Sequence, residues 1–295
     1  MRAHAPRTEA GPRLAHEEDK HTSFFRYRNY FYLKIATVAV IVSIALYYVD
    51  VPYGERYGGT WAGYILGTAG ALLILWLMWF GYRKRSYRVN QGKLEAWLSA
   101  HVYLGGALLA IATLHTGWHI GWNIHTAAYL LMCAVIFSGF FGIFCYLRYP
   151  TLITDNRGGN TMPQILVRIA VINDELRMGA MTIDDATAKL VTEAVERTEI
   201  GGSGWRQMSG TYPNCATDKA LVGVNDIASR SSLEQQATYR QVLVLLNEKK
   251  TLLARARRDV SYKAMMDVWL YFHVPLSFAL LAALTAHVVS VFFYW

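Results

Sequence analysis

HVYLGGALLAIATLH, residues 101–115, is the stretch on which the reading of this chain turns. It opens and closes on histidine and holds no charged residue between them. It lies within a longer apolar run, from about Leu94 to Trp118, that is long enough to cross about 30 Å of hydrocarbon. A second stretch, HVPLSFALLAALTAH at residues 273–287, repeats the pattern. In both, the histidines are 14 residues apart. Fourteen steps of about 100° fall about 40° short of four full turns, so on a helix both rings face nearly the same way. The rise of about 1.5 Å per residue sets them roughly 21 Å apart, one near each leaflet.

Three further runs read as spans: about Phe31 to Val49, Trp61 to Tyr82, and His125 to Leu147. The last span, about Val268 to Trp295, contains the second histidine pair. The fold expected is all-α, a transmembrane bundle of five spans. Composition agrees: 54% of the residues are hydrophobic and 17% charged, against about 25% charged in soluble proteins. The net charge of +8 does not point to nucleic acid, because the basic residues flank apolar runs, where anionic lipid and topology account for them. Gly63, Gly67 and Gly70 predict close backbone packing of the second span. Tyr47, Tyr48, Trp61, Trp122, Tyr294 and Trp295 suit an interfacial belt.

Lysine and arginine set the orientation. Arg83, Lys84, Arg85, Arg88 and Lys93 lie between spans two and three, and Arg26, Arg28 and Lys34 lie near the start of span one. The link between spans one and two holds only Arg56, and that between spans three and four holds none. The N-terminus is therefore expected inside and the C-terminus outside a bacterial inner (plasma) membrane.

The organisation expected is a disordered cytoplasmic tail over residues 1–23, spans one to four over 24–147, a cytoplasmic helical insert over 148–267 and span five over 268–295. In the insert, Ile165, Ile169, Ile172 and Leu176 make one amphipathic stripe. Thr182 with Asp185 resembles a capping box. Tyr239, Leu243, Leu246, Leu253 and Val260 line a long helix that leads into span five. Gly201 to Asp226 reads as a loop. Nothing in the insert has a catalytic pattern, and Gly201, Gly202 and Gly204 make no phosphate-binding motif. Cys133, Cys145 and Cys215 form no C-x-x-C, which argues against covalent haem, an iron–sulfur cluster or a cysteine zinc site in this chain.

Spans three and five run in the same direction. If they face each other, His101 is level with His273 and His115 with His287. Each level then presents two imidazoles from opposite helices, the arrangement a haem iron needs for its two axial ligands. Gly105 and Gly106 would leave room for a porphyrin beside the backbone. Single membrane histidines are more often hydrogen-bonded core groups. Two equal spacings on two co-directional spans point instead to two b-type haems. His119 lies one turn beyond His115 but breaks the equal spacing. His119, Trp122 and His125 form an aromatic, polar group expected near the outer surface, suited to a quinone or to a haem propionate. Pro275 should kink span five near His273.

The His101-x13-His115 and His273-x13-His287 pairs resemble the ligand arrangement of dihaem cytochromes b, a group that includes bc1-type, b561-like and ferric-reductase-like membrane domains. The resemblance covers spans two to five and not the insert. It implies that His101 and His273 ligate the iron of a cytoplasmic-side haem, and that His115 and His287 ligate that of an outer-side haem. No charged residue lies deep in any span, which disfavours a pump or channel. The chain shows no dehydrogenase, flavin or cluster motif. The function expected is therefore an electron-transfer subunit of a membrane oxidoreductase complex in a respiratory chain. Its expected partners are membrane lipid, a quinone, and a cytochrome c or an iron–sulfur or dehydrogenase subunit. The competing readings are a stand-alone transmembrane reductase of ferric iron and a haem-free membrane scaffold.

Overall fold

A computed structural model describes residues 24–85 and 94–293. The expectation of a disordered tail over 1–23, part of the basic link between spans two and three, and the aromatic pair Tyr294 and Trp295 lie outside these residues. Among the described residues the regular structure is helical: α1 Phe31–Val49, α2 Trp61–Arg85, α3 Leu94–Thr116, α4 Ile124–Arg157, α5 Met162–Ala180, α6 Asp185–Glu196, α7 Gly204–Ser209, α8 Ala216–Arg230 and α9 Leu233–Phe293. Five stretches are long and apolar enough to cross a membrane. They carry exposed apolar side chains such as Val38, Ile41, Val42, Leu72, Phe137 and Phe278. So much exposed hydrocarbon would be a liability in water and is ordinary in lipid.

The chain divides into two compact units. The first comprises residues up to Phe141 together with Tyr271 onward. Here α3 packs against both α1 and α2. Ile74, Leu77, Leu108, Met132 and Leu280 form its buried core. The start of α2 is fixed from two sides. Thr60 accepts from the Gly63 N–H at 3.1 Å, and the buried carboxylate of Asp50, just after α1, accepts from the Ala62 N–H at 3.3 Å. Both satisfy amides that a helix start leaves unpaired. The third span ends at Thr116, two residues before the expected Trp118. Gly117 (φ +57°) and Trp118 (φ +66°) take left-handed conformations that stop the helix.

The second unit comprises Gly142–Leu270. The Ile165, Ile169, Ile172 and Leu176 stripe is buried as expected, as are Tyr239, Leu246 and Leu253 of α9. Two expectations are corrected. The cap of α6 is Asp184, whose side chain accepts from the Thr187 N–H at 2.9 Å, while the Thr182 hydroxyl donates back to the Gly179 carbonyl. A full capping box does occur, at Thr161 and Gln164, where it opens α5. Second, residues 201–226 are not one loop. They contain α7 and most of α8, because Thr217, Ala220 and Val224 recur at helical spacing and bury completely. Glycine, serine and proline are confined to the part before Cys215, apart from Gly223.

Paired guanidinium–carboxylate contacts brace this unit. Arg157 donates to both oxygens of Asp259 at 2.9 and 2.8 Å, and Arg168 does the same to Glu248 at 2.8 and 2.9 Å. Gly142 leaves room for the Trp269 ring, which would lie 2.1 Å from any Cβ there. The expected kink at Pro275 does not break α9, which runs unbroken from Leu233 to Phe293.

Candidate functional site

Four histidines of the first unit lie on α3 and α9, and one pair of them is in ring contact. At one end, the His115 and His287 ring centroids lie 6.0 Å apart with ring planes at 85°. At the other, the His101 ring lies beside Phe80, and His273 Cε1 would lie 3.7 Å from a Cβ at Gly139. Of the two pairings the equal spacing predicts, His115 with His287 is a ring contact.

Each ring is oriented by its surroundings. His115 Nδ1 lies 2.8 Å from the Gly63 carbonyl. A carbonyl only accepts, so His115 Nδ1 carries the proton and Nε2 keeps its lone pair. The ring lies against bare backbone: a Cβ at Gly67 would be 2.7 Å from His115 Cε1, and one at Gly58 3.1 Å from it. The glycine run on α2 therefore serves this ring as well as helix packing. His273 Nδ1 lies 2.7 Å from Ser138 Oγ. Ser138 already donates its hydrogen to the Val135 carbonyl at 2.7 Å, so its oxygen accepts from His273. Nδ1 is then the protonated nitrogen of His273 as well. His101 packs beside Phe80, with centroids 4.9 Å apart, and its Nδ1 is buried without a hydrogen-bond partner. Nothing would meet a Cβ at Gly105 or Gly106 within 4 Å, so the space beside that backbone is open.

The group His119, Trp122 and His125 does not form one cluster. His119 turns away from the histidine pairs. Its Nε2 lies 2.8 Å from Glu55 Oε2, and its Nδ1 lies 3.0 Å from the Gly117 carbonyl. With both nitrogens donating, the hydrogen bond to Glu55 raises its pKa above the ordinary histidine value. Val49, Asp50, Tyr53, Tyr57, Trp61 and His119 line an open cleft of about 930 Å³ beside it. Trp122 is fully exposed. His125 turns the other way and meets His287, Nδ1 to Nδ1, at 2.5 Å, with ring centroids 4.5 Å apart. That contact was not legible in the sequence, since it depends on how the loop after α3 returns α4 toward α9.

His115 and His287 bring two imidazoles close together, a ligand type that haem iron accepts. Metal–imidazole bonds of about 2 Å on each side of an iron would put the ring centroids on the order of 6 Å apart. Among the described residues no three or more His, Cys, Asp or Glu side chains gather as a protein-only metal site. A haem iron draws at most two ligands from a chain. No family model, curated protein or solved structure matches the chain.

Proposed function

We propose that this chain is a dihaem membrane cytochrome b subunit that carries electrons across a bilayer between a quinone pool and a partner redox protein. The observation that carries the reading is the pairing of His115 with His287 at 6.0 Å, with His101 and His273 each fourteen residues earlier on the same two helices. The Nδ1 hydrogen bond of His115 to the Gly63 carbonyl selects the tautomer with a lone pair on Nε2, and His273 is oriented through its Nδ1 by Ser138. In the topology that fits, five spans place the N-terminus and the insert inside and the C-terminus outside. His101 and His273 would hold the haem of the cytoplasmic side, His115 and His287 that of the outer side.

When bound, haem supplies one-electron redox chemistry at its iron. The chain's own residues do the rest. Gly63 and Ser138 fix the tautomers of two ligands and make them more basic through second-sphere hydrogen bonds. Gly58 and Gly67 let one ring stand against the backbone. The apolar packing of Ile74, Leu77, Leu108 and Leu280 excludes water from the interior of the unit. A membrane quinone, and a cytochrome c, iron–sulfur or dehydrogenase subunit, are the redox partners this reading implies.

The test is a reduced-minus-oxidised visible spectrum and a haem count on the purified full-length chain. Two b-type haems per chain are expected. His115→Ala and His287→Ala should each remove the same spectral component, and His101→Ala and His273→Ala the other. A colourless wild-type protein, or loss pairing His115 with His101, would sink the reading.

A further inference from the structure

One histidine near these pairs has no role in the reading above. His125 opens α4 from an exposed position, yet its ring turns toward α9 and meets His287 edge to face at 89°. The contact joins Nδ1 to Nδ1. Two ring nitrogens in such contact share one proton, so one ring donates and the other accepts. If His125 donated, His287 would carry its own proton on Nε2 and could not ligate a metal through that atom. If His287 donates, its Nε2 lone pair is free.

We infer that His125 is the positioning residue for His287: it accepts the Nδ1 proton, selects the ligating tautomer and holds the ring toward His115. This rests on the dihaem reading. It places His125 in the position that the Gly63 carbonyl fills for His115 and that Ser138 fills for His273. Three of the four ligand candidates then share one device, an acceptor on Nδ1 supplied by a neighbouring helix, although the acceptors are a carbonyl, a hydroxyl and an imidazole. The device has an electronic consequence. A ligand whose Nδ1–H is engaged is more basic and favours the ferric state, which lowers the reduction potential. Removing the acceptor therefore raises the potential of one haem and leaves the other unchanged.

The experiment is a potentiometric titration with low-temperature electron paramagnetic resonance on the full-length wild-type chain and on His125→Ala, His125→Gln and Ser138→Ala. Wild type should titrate as two b haems. In His125→Ala one component should shift upward by about tenfold in its reduction equilibrium, about 59 mV for one electron. Its ferric resonance should change, and the other component should not. His125→Gln restores an acceptor oxygen and should recover most of the shift. Ser138→Ala should move the other component. Loss of one haem in His125→Ala but not in His125→Gln supports the assignment as well. Unchanged potentials and resonances in His125→Ala overturn it, as do equal effects of the alanine and glutamine variants. The wild-type spectrum separates the two levels: no haem there defeats the dihaem reading itself, while two haems indifferent to residue 125 defeat only the role of His125.

Discussion

At the scale of single residues, a tightly constrained position beside the histidines is one with no side chain. Gly67 faces His115 across α2 and α3, and a methyl group there would stand 2.7 Å from Cε1 and 2.9 Å from Nδ1 of the ring. The far side of the contact cannot yield freely, because Nδ1 is tied to the Gly63 carbonyl one turn earlier on the same helix. Gly67→Ala must therefore rotate the ring or part the helices, a repacking of the kind that costs roughly 1–3 kcal/mol. On the proposed reading the outer-side haem is lost and the total falls from two toward one per chain, while the other component stays whole. A haem count with the reduced spectrum checks this, and two intact haems in Gly67→Ala would show that the ring has slack. The glycine spacing on α2 was visible in the sequence as a packing stripe. That it faces a histidine was not, because spacing says which residues share a helix face and not which neighbour meets that face.

At the scale of elements, what was legible tracks how strong the local pattern is. The first span appears as expected to the residue, since a continuous apolar run bounded by polar segments leaves little choice of ends. That both histidines of α3 share a face, and likewise both of α9, follows from helix geometry alone. The helix α8 was hidden because its buried face is built from Thr217, Ala220 and Val224, residues too small to stand out as an apolar stripe. The cap of α6 was placed two residues early because Thr182 and Asp184 are both good caps and only the course of the chain after Gly179 chooses between them. These short elements depend on α9 for a core. Leu246 is fully buried among Ile172, Leu176, Val191, Val224 and Val242. Leu246→Ala should cost about 2–5 kcal/mol through lost burial and a residual cavity. Hydrogen exchange should register this as faster exchange of the backbone amides of α6 and α8, and unchanged protection there would mean that the cluster is looser than its burial indicates.

At the scale of the whole molecule, the balance between exposed hydrocarbon and charge decides where the chain can live. Val38, Ile41 and Val42 on α1, Leu72 on α2, Leu130 and Phe137 on α4 and Phe278 and Phe292 on α9 are each more than half exposed. Each such side chain left in water forfeits a large part of the roughly 1.5–3 kcal/mol that full burial contributes. Lipid removes that cost without any change in packing. The net charge of +8 pulls in the same direction when the surface is anionic, but that attraction is screened by salt, whereas burial of hydrocarbon is not. The two contributions therefore separate in a fractionation experiment. High salt and alkaline carbonate strip proteins held by charge alone, so the full-length chain should remain in the membrane pellet through both and enter solution only with detergent. Release by salt or carbonate would mean that the apolar helices are covered by protein rather than by lipid, and the paired histidines would then have to be read as part of a soluble assembly.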